Sequence, residues 1–76
     1  MKLKLYLCKN KISIVKFSEM IGYSGNYISF LINGRKKCPR RVALLIQQAT
    51  NGELKEDEII KDFQEAEEIF KAKKNL

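Results

Sequence analysis

From Ser13 to Gly34 the chain reads SIVKFSEMIGYSGNYISFLING, two short runs of helical apolar spacing broken once by a glycine. Ile14, Phe17, Ser18 and Ile21 recur at three and four residues, the period of one helix face, with Met20 placed to support that side. Ser13 suits the start of this helix because its hydroxyl accepts from a backbone N–H that the first turn leaves unpaired. Gly22 ends it: a left-handed backbone is cheap without a Cβ, and the next helix then leaves at a steep angle. Ser24 caps that second helix, which runs to about Asn33 and stops at Gly34. Tyr27, Ile28 and Leu31 form its apolar side, leaving Gly25, Asn26, Ser29, Phe30 and Asn33 nearer the open face. The rest of the chain must be built around this pair.

Seventy-six residues form one small domain, which buries only about 60–65% of the surface its unfolded chain exposes. Leu3, Leu5, Tyr6 and Leu7 with Cys8 predict a first helix over Lys2 to Lys9; the alternation of the leucines also suits a strand, but no second β-rich run exists to pair with it. Pro39 or Arg40 opens a fourth helix, in which Val42, Leu45, Ile46 and Ala49 make the apolar stripe and Leu44 widens it. Thr50 to Gly52 close that helix and Glu53 to Lys55 make a short connection. From Glu56 the acids favour a helix start, and Lys71, Lys73 and Lys74 suit its end. Ile59, Phe63, Ala66 and Phe70, with Ile60 and Ile69 alongside, give this fifth helix about five turns and an apolar side. The expectation is an all-α fold, with residues 1–55 as the compact unit and residues 56–76 completing its core, pairing two copies, or both.

Charge is uneven. Residues 1–55 carry eleven Lys and Arg against two Glu, net +9, whereas residues 56–76 carry four Lys against seven acids, net −3. A basic body attracts a polyanion, while the acidic segment is poorly suited to lie on phosphates and should point elsewhere. No secretion signal or membrane span is legible, so the expected location is cytoplasmic. Cys8 and Cys38, with no histidine in the chain, supply too few soft ligands for a zinc site; no cofactor is expected. Cys8 reads as a small core residue, whereas the cations around Cys38 leave open a lowered thiol pKa and a response to oxidation. Enzyme chemistry is disfavoured, because no histidine, phosphate-cradling glycine loop or spaced carboxylate pair is present.

Two packed helices at this angle, with a wedge of Phe17, Ile21, Ile28 and Leu31 and a small Ser18 where the axes approach, are a device for holding one helix face in a DNA major groove. Tyr23 would cover the turn. With the further run NGRKKCPRRVALLIQQATNGEL, the chain resembles the Cro and repressor family of phage and bacterial regulators, and most closely the small Cro-like group of YdaS-type antitoxins, over about residues 2–60. That resemblance implies a lambda-repressor-like helix-turn-helix domain of four short helices followed by the amphipathic fifth. It implies that Gly25, Asn26 and Phe30 occupy base-reading positions, that Ser24, Tyr27, Ser29 and Asn33 lie where backbone contact or positioning is expected, and that Arg35 meets phosphate. Gly25 and Phe30 depart from the long polar side chains usual there.

Chemically, Asn26 can pair with an adenine edge, Ser29 can make one hydrogen bond, and Phe30 can touch a thymine methyl or instead pack against the domain or a second subunit. Ser24 and Asn33 also serve as helix-end residues. Arg35, Lys36, Lys37, Arg40 and Arg41 follow the second helix of the motif directly and would run along the sugar-phosphate backbone, with Lys16 as a further contact. Phe63, Ile69 and Phe70 are the candidates for a homodimer contact or for binding a toxin or regulatory protein. The leading expectation is a non-enzymatic repressor that binds a palindromic operator on double-stranded DNA. Its rival is a protein-binding adaptor that keeps the scaffold and has given up base reading.

Overall fold

Five helices follow one another: α1 (Lys2–Lys9), α2 (Ile14–Ile21), α3 (Gly25–Ile32), α4 (Arg40–Ala49) and α5 (Glu56–Lys74). This is a computed structural model that describes residues 1–74, and no strand occurs among them. The all-α expectation holds, and the helix boundaries fall where capping residues placed them. The hydroxyls of Ser13 and Ser24 accept from the N–H groups of Lys16 and Tyr27, both at 3.1 Å; each such cap contributes about 1 kcal/mol.

The first four helices end alike. In each, a residue with positive φ follows the last turn, and the next N–H donates back five residues: Ile12 to Leu7 (2.9 Å), Tyr23 to Ser18 (2.9 Å), Arg35 to Phe30 (2.8 Å) and Gly52 to Gln47 (2.8 Å). The residues that turn the chain are Lys11, Gly22, Gly34 and Asn51.

Phe17 and Ile21 of α2 pack against Ile28 and Leu31 of α3, as expected for the wedge, and all four are buried. Ser18 is 1% exposed and its hydroxyl donates to the carbonyl of Val15 at 2.7 Å, so a polar group is admitted at the helix crossing without an unpaired proton. Val42, Ala43 and Ile46 close the core from α4, Leu3 and Leu7 from α1, and Ile59 and Phe63 from α5. α5 is therefore integral to the one core, packed against α4, α3 and α1.

Several expectations about which side chains face inward are corrected. Met20 and Leu44 stand 48% and 41% exposed, because their neighbours Ile21, Ala43 and Ile46 already fill the interior. Cys8 lies on the outer side of α1, whereas Leu3 and Leu7 take its inward positions. Buried Leu54 anchors the connection before α5. Its N–H donates to Thr50 Oγ1 (3.2 Å), and that hydroxyl donates to the Gln47 carbonyl (3.1 Å).

Candidate nucleic-acid interface

With Ile28, Leu31 and Ile32 turned inward, α3 presents Asn26 and Asn33 to solvent and leaves Ser29 and Phe30 half-buried at the rim. Asn33 Nδ2 reaches Ser29 Oγ at 3.4 Å. Gly25 departs from its expected place. A Cβ there would meet Val15 Cγ2 at 3.5 Å and Ser18 Oγ at 3.8 Å, ordinary contact distances, so this position faces α2 and not the open side. Of the expected base-reading set, Asn26 and Ser29 are the side chains with hydrogen-bonding capacity on the outward face.

Aromatic rings and cations interleave along the adjoining edge. Tyr23 and Tyr27 stack with centroids 5.0 Å apart. Lys36 Nζ lies 5.7 Å from the Tyr27 ring and 5.6 Å from that of Phe30. The Arg35 guanidinium sits between two rings, 5.8 Å from Phe30 and 5.7 Å from Phe70. Such contacts stabilise by about 0.5–1 kcal/mol each at exposed sites and fix where the cation points. Phe30 is thus half-buried at the rim, with Arg35 and Lys36 over its ring.

Of the remaining cations, Lys16, Lys37 and Arg41 are exposed. Arg40 is diverted: its Nη1 forms an ion pair with Glu56 and lies 3.9 Å from Asp57, so α5 competes for the charge assigned to phosphate. The acidic start of α5 likewise engages Lys2, through Nζ to Glu58 at 3.0 Å and the backbone N–H to Asp62 at 2.8 Å.

The far end of α5 does not point elsewhere. Gly34, at φ +76°, lies so close to α5 that an added Cβ would stand 2.1 Å from the Ala66 carbonyl oxygen. Ile69, Phe70 and Lys73 consequently form one wall of an open cleft of about 360 Å³ whose other wall is Ser29, Phe30 and Asn33 of α3 with Arg35. Phe63, expected at a partner surface, is 1% exposed and belongs to the core; Ile69 is 58% exposed and does not.

Cys38 is buried, and burial first, then the neighbouring Glu67, pushes its thiol up to about 11. Of the possibilities left open for this thiol, a pKa lowered by the surrounding cations is not the one found. Burial, then Cys38 and Tyr23, also holds the Tyr27 hydroxyl above its ordinary range, with Arg41 opposing. No helix among the described residues is long and apolar enough to cross a membrane.

Sequence reasoning missed Ile32, Ala43 and Leu54 as core, and the reach of Phe70 to Arg35. The first two were legible, since Ile32 continues the Ile28 position by four residues and Ala43 precedes Ile46 by three. The last joins positions 35 residues apart and leaves no local signal. No family model, curated protein or solved structure matches this chain.

Proposed function

We propose that the protein is a sequence-specific double-stranded DNA-binding regulator of transcription, a repressor of the Cro-like kind that seats α3 in the major groove and works as two copies on a palindromic site. One observation carries this reading: the inward side of α3 is locked onto α2 while Asn26, Ser29 and Asn33 stand on its outer side beside the cations Arg35, Lys36 and Lys37. A major groove accepts one helix, and flanking cations meet the phosphates on either side. Asn26 is the residue for an adenine edge, and Arg35, held between two rings, positions the domain without specifying sequence.

Random-site selection on double-stranded DNA tests this. N26A is expected to relax preference at particular base pairs. R35A is expected to weaken all sites alike and to lower the salt-dependence slope by about 1. Failure to enrich any site overturns the reading.

A second reading, a protein-binding adaptor, is favoured by Gly25 facing α2 and by Phe30 being covered by Arg35 and Lys36, both of which narrow the base-reading face. Tight capture of a toxin or regulatory protein, together with sequence-independent DNA affinity, is its expected result.

A further inference from the structure

Charge is divided along the length of α5. All seven of its acids fall at positions 56–68, with Lys61 alone among them, whereas positions 69–74 hold Lys71, Lys73 and Lys74 and no acid. Cations suit the end of any helix, through its dipole. What matters here is where that end lies. The Ala66 backbone rests on Gly34, so the turns of α5 that follow stand across an open cleft of about 360 Å³ from the outer face of α3.

That cleft is built of hydrogen-bond donors and an apolar wall. Arg35 and Lys73 can only donate. Asn33 Nδ2 donates to Ser29 Oγ at 3.4 Å, which leaves the Ser29 hydroxyl proton and a second amide proton for an acceptor. Ile69 and Phe70 make the apolar side, with the Arg35 guanidinium held over the Phe70 ring. Among the described residues no carboxylate lines it. Two further clefts border α5 and each contains an acid: Asp62 and Glu65 line the one that shares Ile69 and Lys73, and Glu67 lines the one beside Lys36 and Lys37. The ion pairs among the described residues engage Lys2 and Arg40, and neither Arg35 nor Lys73.

Protons to give, two cations and an apolar wall match anionic oxygens carried on a weakly polar frame, the chemistry of a sugar–phosphate strand. Placement supplies the strand. The major groove is about 12 Å wide and a helix with its side chains about 10–12 Å across, so a helix seated there touches the strands that border the groove. A wall along the outer face of α3 therefore stands over one of them.

We propose that the cleft between α3 and α5 seats one sugar–phosphate strand of double-stranded DNA, with Lys73 and Arg35 on its phosphates and Ile69 against its sugars. This rests on the functional reading, since α3 in the groove is what brings the strand there, and it makes the end of an otherwise acidic helix part of the interface.

The salt dependence of binding by the full chain to a labelled duplex of about two helical turns, read by fluorescence anisotropy, is the test. K73A is expected to lower the slope of log affinity against log salt by about 0.9 and to weaken binding about eightfold at 0.1 M salt, the share of one phosphate. I69K adds a cation to the same cleft at a position 58% exposed, and is expected to steepen the slope and tighten binding, a gain that misfolding cannot produce. Q64K carries the same charge change on exposed Gln64, round the helix from Ile69, and K61A removes a cation within the acidic stretch; both are expected to leave the slope unaltered. Inorganic phosphate is expected to displace no more duplex than chloride at equal ionic strength. Unchanged slopes in K73A and I69K, or selective displacement by free phosphate, overturn the proposal. The two readings fail separately: a selected site whose binding ignores K73A and I69K removes only the cleft, and slopes that respond as expected on duplexes of every sequence remove only the operator.

Discussion

Gly22 and Gly34 end successive helices with the same backbone, φ +80° and +76°, and the same N–H returning five residues. Their surroundings differ completely. Nothing lies within 4 Å of a Cβ placed on Gly22, whereas one on Gly34 would run into the carbonyl oxygen, the carbonyl carbon and the following nitrogen of the Ala66–Glu67 peptide. Gly22 is required by conformation alone. Gly34 is required by conformation and by contact, because that point is where α5 rests its backbone on the end of α3. Local turn chemistry explains the first glycine, and only the tertiary arrangement explains the second.

Substitution separates the two. G34A is expected to cost about 3 kcal/mol or more, combining left-handed strain with displacement of α5, and in a chain of this size that removes a large share of the total stability. Thermal denaturation followed by circular dichroism reads it, and a loss no larger than that of G22A breaks the distinction. Next comes pH. Cys38 lies beside Glu67 on the same stretch of α5, and its folded thiol is held protonated up to about 11 against an ordinary 9.0. An unfolded chain ionises at the lower value, so the stabilisation is complete below pH 9 and is lost as pH rises through 11. The melting temperature is expected to fall over that interval more steeply than in C38A; parallel curves refute the assignment.

G22A is expected to cost about 1 kcal/mol, the strain of one alanine in the left-handed region with open space around it. Smaller still is K11G, since Lys11 already holds φ +55° without being glycine. Relief of that strain, partly offset by the added freedom of the unfolded chain, is expected to raise stability by up to about 0.5 kcal/mol. R40A sets the lower end of the series. Its ion pair with Glu56 leaves the Arg40 side chain 64% exposed, so chemical denaturation should move by less than about 1 kcal/mol.

The same distinction governs what could be read from the chain in advance. Ser13, Gly22, Ser24 and Gly34 declare their helix ends locally, and the spacing of Phe17, Ile21, Ile28 and Leu31 declares the contact between α2 and α3. Phe63 and Ile69 were not separable on that basis. Both belong to the apolar side of an isolated helix, and the packing of α5 against α4, α3 and α1 decides that Phe63 enters the core while Ile69 stays outside. Cys8 leaves its expected place in the core because Leu3 and Leu7 occupy the inward positions of α1, and Cys38 is buried because the loop before α4 is folded in against α5. Arg40 illustrates a limit of charge counting, because a cation near the motif is diverted by an acid sixteen residues away. Gly25 shows how a position on one helix takes its meaning from the other: a Cβ there would point at Val15 and Ser18 of α2, within ordinary contact distance, and not at the open side of α3.

The stacked pair Tyr23 and Tyr27 has an optical consequence. The chain contains three tyrosines and no tryptophan, so its near-ultraviolet emission comes from tyrosine alone, and two of its three emitters lie on the turn and exposed edge of α3 with their rings 5.0 Å apart. Lys36 lies over one of them. Whatever seats itself on this edge and draws Lys36 away alters the surroundings of those two rings, leaving Tyr6 on α1 as an internal reference. The native protein carries its own fluorescent reporter at the edge of α3, with no label attached.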